Sequence, residues 1–159
     1  MLKINDYVVY KHDVCKVVSI KKNNNKDYYV LVPISDSTLK ISIPCDNTTL
    51  IRNLISKDYA NQLIDNMPSI DILDINVKLL ENEYKTLLND CTHESLIKII
   101  KTTYLRNKER LDTKRKTSDK DEYYFALAEK YLYNELSVVL GMTFEEVKNY
   151  VIERINKNL

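Results

Sequence analysis

The stretch Tyr28-Tyr29-Val30-Leu31-Val32-Pro33-Ile34-Ser35-Asp36-Ser37-Thr38-Leu39-Lys40-Ile41-Ser42-Ile43-Pro44 decides how this chain is to be read. Two runs rich in β-branched and aromatic residues, Tyr28 to Ile34 and Leu39 to Ile43, flank Ser35 to Thr38, whose short polar side chains cap turns. The second run alternates, with Leu39, Ile41 and Ile43 on one face and Lys40 and Ser42 on the other, the period of a half-buried strand. The pattern predicts a hairpin with one packed face and one free face. A lone hairpin is marginal in water, so further strands must lie beside it.

The preceding residues supply them. Tyr7 to Tyr10 and Val14 to Ile20 read as strands joined by Lys11-His12-Asp13, with Asp13 the expected left-handed residue because no glycine is at hand. Lys21 to Asp27 reads as a polar connection, and a last short strand is expected around Leu50-Ile51. Such a meander buries its apolar face best by curling into a small SH3-like or Tudor-like barrel.

From Ser56 onward the period changes to that of helices. Ser56 caps a short helix from Lys57 to Asn66, which Met67-Pro68 stops, and an unusually apolar connection, Ser69 to Asn76, follows. Leu80, Tyr84, Leu87 and Leu88 mark the inner side of a helix from Val77 to about Asn89. Leu96, Ile97, Ile100, Tyr104 and Leu111 mark one from His93 to about Leu111. Ser118 opens a long helix to Leu140 with Phe125, Ala128, Leu132, Leu136 and Val139 inward and Gly141 at its C-terminal cap, and Thr143 with Glu146 forms a capping box for the last. The expected fold class is α+β: a small Tudor-like or SH3-like β-barrel over residues 1–52, then an all-helical domain over residues 53–159.

Composition narrows the function. A single glycine, Gly141, removes the glycine-rich phosphate loops of P-loop and Rossmann proteins. Cys15, Cys45 and Cys91 form no C-x-x-C pair, and His12 and His93 stand apart from any serine or cysteine motif, so no catalytic residue, metal site or cofactor is expected. An enzyme is not indicated. No signal peptide opens the chain and no apolar run approaches the roughly 18 residues of a membrane span, so the default expectation is a cytoplasmic protein.

The net charge of +1, from 24 basic and 23 acidic residues, hides one concentration. From Lys98 to Lys120 lie nine basic residues (Lys98, Lys101, Arg106, Lys108, Arg110, Lys114, Arg115, Lys116, Lys120) against Glu109, Asp112 and Asp119, a local +6. A basic helix end and loop of this kind suits phosphate contacts, though a solvated helix face has the same composition.

Asn5-Asp6-Tyr7-Val8-Val9-Tyr10, Val14-Cys15-Lys16-Val17, Tyr28-Tyr29-Val30-Leu31, Ile41-Ser42-Ile43-Pro44, and Ile99-Ile100-Lys101 through Lys108-Glu109-Arg110 follow one another in an order that resembles the CarD/CdnL family of bacterial transcription regulators. The resemblance implies an N-terminal Tudor-like domain, shared with the transcription-repair coupling factor, that docks on the β subunit of RNA polymerase. It also implies a helical domain lying on double-stranded promoter DNA at the upstream edge of the melted region. Family members carry a glycine before Val-Cys-Lys-Val, where this chain has Asp13, and wedge a tryptophan into the minor groove, where this chain has no Trp. The corresponding region, Leu73 to Val77, offers Leu73 and Ile75 as aliphatic wedges. Edge-strand pairing makes Lys21, Lys22, Lys40 and Ser42 the candidate polymerase contacts. The candidate DNA contacts are Leu73, Ile75, Lys101, Arg106, Lys108, Arg110, Lys114, Arg115 and Lys116. The competing reading is a polymerase-bound adaptor whose helices hold another protein rather than DNA.

Overall fold

Five strands, β1 (Tyr7–Tyr10), β2 (Asp13–Asn23), β3 (Lys26–Pro33), β4 (Ile41–Pro44) and β5 (Ile51–Asn53), make one antiparallel sheet ordered β4-β3-β2-β1-β5 in the computed structural model, which describes residues 1–157. Paired residues share a face, so the register sorts the side chains. Val8, Cys15, Val17, Tyr29, Leu31 and Ile43 fill the inner core, with Tyr10, Ile41 and Ile51 at its margin. The fold class is the expected one, a Tudor-like β domain followed by helices.

Three details of the sheet differ from expectation, each for a local reason. The polar segment 21–27 is no loop: β2 runs to Asn23, β3 starts at Lys26, and Asn24 and Asn25 make the whole turn with φ of 49° and 65°. Two positive φ values in a two-residue link match the twist of the strands, and Asn tolerates them best when glycine is absent. At the first turn the left-handed residue is Lys11 (φ 56°), while Asp13 is already in β2, paired with Tyr10. Finally, Leu39 and Lys40 precede β4 rather than belonging to it, and Leu39 is exposed. Ile34 donates to the Val14 carbonyl at 2.9 Å, so its neighbour Pro33 turns its backbone toward β4, where it has no N–H to give. The ladder therefore begins only at Leu31 with Ile41.

The helices are α1 (Lys57–Asn66), α2 (Val77–Asp90), α3 (His93–Asp112), α4 (Asp119–Leu140) and α5 (Phe144–Lys157). Each has its cap: Ser56, Asn76, Thr92 and Ser118 accept from backbone N–H groups of the first turn, and Thr143 and Glu146 cap each other reciprocally. Gly141, at φ 66°, ends α4. The core gathers around α4, whose Tyr124, Ala128, Leu132 and Leu136 are buried among α1, α2, α3 and α5.

Tyr104 and Leu111, expected inside, are exposed, and Ile99, Thr102 and Thr103 are buried instead. The inward seam of α3 passes through Thr103 and ends on Arg106, and Tyr104 stands about 100° round from Thr103. Likewise Tyr124 rather than Phe125 is fully inside. In the 69–76 connection Ile70 and Leu73 pack on the core, while Ile72 and Ile75 stay exposed.

Candidate interaction surfaces

The outer face of the sheet is divided. Val9 and Val14, paired with each other, are buried there, and α4 lies against β2. Arg52 pairs with Val9 on the same face and reaches across to Glu135 of α4, with Nη1 to Oε2 at 2.8 Å and Nη2 to Oε1 at 2.7 Å. His93 Nε2 meets Oε1 of Glu135 at 2.8 Å, and the Ile55 N–H donates to its Oε2 at 3.1 Å. Burial alone would raise the pKa of Glu135, but the hydrogen bonds from Arg52 and His93 outweigh it and pull the carboxyl down to about 2. Beside this cluster His12 stacks on Tyr131 (4.8 Å between centroids), and its Nε2 lies 3.5 Å from Cys91 Sγ.

The other part of the outer face is open. Lys21 pairs with Tyr28 and Ser42 pairs with Val30, two residues along the same strand, so the structure brings Lys21 and Ser42 to one face. Lys22 pairs with Asp27 and points to the opposite face, and Lys40 stands outside the strand on the 34–40 loop. Tyr7 and Lys16 add an outward pair, with the ammonium 5.9 Å from the ring centroid, which sequence pattern alone did not single out. A β-bulge between Val17 and Ser19 leaves Val18 exposed next to them, and β4 and β5 are the free edges.

One family model matches these strands. Residues 2–55 match the family model described as the CarD-like/TRCF RID domain. The N-terminal third of the chain is a RID domain. That makes this a transcription-related protein with an RNA polymerase-interacting module. No curated protein matches the chain.

At the far end of the helical unit, away from the RID domain in the chain, the candidate DNA residues separate into two groups. Lys101 is occupied: its ammonium caps the carbonyls of Met67 (2.9 Å), Pro68 (3.2 Å) and Ile70 where the chain leaves α1. Arg106 is occupied as well, its Nε donating to Oδ2 of the buried Asp121 at 3.0 Å, while the Tyr84 hydroxyl donates to Oδ1 at 2.9 Å. Lys101 is thus tied into the packing, and Arg106 is paired with a buried carboxylate where it lines a groove between α2 and α3. Leu73 is likewise held, partly buried against the core with its N–H on Thr102 Oγ1 at 3.0 Å.

Lys108, Lys114, Arg115 and Lys116 are exposed and Arg110 is half-buried. The turn after α3 is a Schellman-type cap: Arg115 N–H to the Arg110 carbonyl at 2.7 Å, Lys114 N–H to the Leu111 carbonyl at 3.0 Å, and Lys114 in the left-handed region at φ 62° where glycine is usual. A groove of about 290 Å³ joins this end to the start of α2, with Val77 and Lys78 on one wall and Arg110 and Lys120 on the other. Val77 (63% exposed) thus stands across the groove from Arg110, Lys120 is paired with Glu81 at 2.9 Å, and Ile75 (40% exposed) lies two residues before Val77 in the chain. Among the described residues no three His, Cys, Asp or Glu side chains are arranged to hold a metal, and no helix is long and apolar enough to cross a membrane.

Proposed function

We propose that this protein is a non-enzymatic transcription regulator that docks on the RNA polymerase β subunit through the open outer face and edge of its RID domain, and holds promoter DNA at the upstream edge of the melted region with the α2–α3–α4 end of its helical unit. The observation that carries the DNA half is the groove that sets exposed Val77 and Lys78 across from Arg110, which lies one turn of α3 before the exposed Lys114-Arg115-Lys116. Cations that reach phosphates supply sequence-independent affinity, and an apolar tip gains only where a base step is opened. The adjoining RID domain supports the polymerase half, with Lys21, Ser42, Tyr7 and Lys16 on its free face. The Arg52–Glu135 pair links the sheet to α4 between the two contacts.

The test is a salt titration of full-length protein on duplex and forked DNA. Replacing Lys114 by Gly and Arg115 and Lys116 by Ala removes three charges while keeping the left-handed turn. Affinity for unrelated duplexes is expected to fall alike, and the salt dependence to flatten by about one unit of slope per lost phosphate contact. An unchanged slope and affinity would refute the DNA contact. The polymerase half is tested by whether the isolated β subunit captures the full-length protein.

A further inference from the structure

A second groove, of about 310 Å³, opens between the last turns of α3 and the first turns of α4, and no residue of α2 contributes to it. Its walls are apolar: half-buried Phe125 with Tyr104 (56% exposed) and Leu111 (60% exposed) together on one patch. Three of the polar groups beside them are engaged. Asn107 Oδ1 accepts from the Ser118 N–H at 2.8 Å, the Thr117 hydroxyl donates to the Glu122 carboxylate, and the Thr103 hydroxyl donates to the Ile99 carbonyl at 2.7 Å. With Phe125, Tyr104 and Leu111 forming most of its walls, the groove suits an apolar side chain.

The rim is cationic. Lys108 lies one turn before Leu111, and Lys114, Arg115 and Lys116 follow it on the cap of α3. Glu109 falls about 160° round the helix from Leu111, Glu122 lines the α4 side of the groove, and at the α3 end Lys108 and the three cations of the turn outnumber Asp112.

We infer that this groove binds an acidic peptide segment of a partner protein, which places a large apolar anchor against Tyr104, Leu111 and Phe125 and sets flanking Asp or Glu side chains on Lys108 and the basic turn. A buried anchor supplies the affinity of such a contact and the charges its rate and orientation. The site goes beyond the polymerase and DNA contacts and shares only the basic turn with the latter.

Fluorescence anisotropy of the full-length protein with a short labelled peptide, Asp/Glu-rich around a Phe-x-x-Leu anchor pair, tests the inference. Saturable, salt-sensitive binding is expected. Leu111→Ser and Tyr104→Ala, both at exposed positions, are each expected to weaken it about tenfold, as is replacing the peptide's Phe and Leu by Ala, while duplex DNA affinity stays at the wild-type value. Unfolding midpoints of the variants report that the fold is kept. Lack of saturable peptide binding, or peptide affinity indifferent to Leu111→Ser, would overturn the proposal. So would a single-stranded oligonucleotide that binds with the same dependence on Tyr104 and Leu111 while the peptide does not.

Discussion

Arg52 in the last strand of the sheet and Glu135 in the central helix hold each other through two hydrogen bonds, at 2.7 and 2.8 Å, across 83 residues of chain. Glu135 is almost wholly buried and also engages His93 and the Ile55 N–H, so its charge is matched only while sheet and helices stay docked. The outward-facing strand surface and the basic helix end are therefore carried on one frame.

That cluster fixes the acid limit of stability. Because the carboxyl of Glu135 sits at about 2 in the folded protein and at its ordinary 4.5 when unfolded, its contribution is complete above 4.5 and is lost as pH falls toward 2. The difference amounts to about 3 kcal/mol. Urea unfolding at pH 5 and again near pH 2 is expected to show that loss in the wild type and not in Glu135→Gln. At neutral pH Glu135→Gln, which like protonation removes the charge, and Arg52→Ala, which strands a buried carboxylate, are each expected to cost about 3 kcal/mol. His12 adds a milder effect: burial holds its pKa below 6.5 despite the opposing charge of Asp13, so stability starts to fall as pH drops below 6.5.

Lys101 and Arg106 behave differently from their basic neighbours. Lys101→Ala leaves three carbonyls without their cap, and Arg106→Ala leaves Asp121 and Tyr84 buried without the guanidinium. Each is expected to lower stability by about 2 kcal/mol. Neither is expected to change the salt slope of DNA binding, since the ammonium is held by carbonyls and the guanidinium charge is balanced by Asp121. A slope that falls by a full unit in either variant would return that residue to the DNA surface.

How far the residues themselves revealed this depends on what decides each feature. Strand and helix identity followed from period and capping, because Ser56, Thr143 and Gly141 act within a few residues of their own position. Turn geometry was less legible: with one glycine in the chain, left-handed φ values fall on Asn5, Lys11, Asn24, Asn25, Cys91 and Lys114, and only the three Asn have a local preference for them. Least legible was which cations are spent internally. Lys101 and Lys108 look alike in sequence, and the carbonyls that hold the first come from residues some 30 positions earlier. The available signal for the Glu135 cluster was a carboxylate next to Leu132 and Leu136 on the inward side of α4, a signal that Glu129 shares.

The register of β2 makes two adjacent lysines a test of the polymerase surface. Lys21 shares the outer face with Ser42, while Lys22 is turned to the other side of the sheet. Charge reversal at either exposed position is expected to change stability by less than about 0.5 kcal/mol. Lys21→Glu is expected to weaken capture by RNA polymerase, and Lys22→Glu to leave it near the wild-type level. Equal losses from both would move the contact to the hairpin tip around Asn24 and Asn25.

Leu73 and Ile75 separate packing from wedging in the same way. Leu73 is packed on the helical core with its backbone tied to Thr102, so Leu73→Ala is expected to destabilise the protein, by about 2 kcal/mol for a partly buried site, and to change binding to duplex and forked DNA equally or not at all. Ile75 is 40% exposed beside Val77, so Ile75→Ala is expected to leave the unfolding midpoint nearly unchanged. Duplex affinity is also expected to hold. Binding to a forked or pre-melted end is expected to fall, because the aliphatic side chain finds an apolar contact only where the bases are already unstacked. The ratio of forked to duplex affinity, measured at one salt concentration for wild type, Ile75→Ala and Val77→Ala, is the decisive quantity. A ratio that does not move in either variant would leave the basic turn as an electrostatic anchor without a wedge.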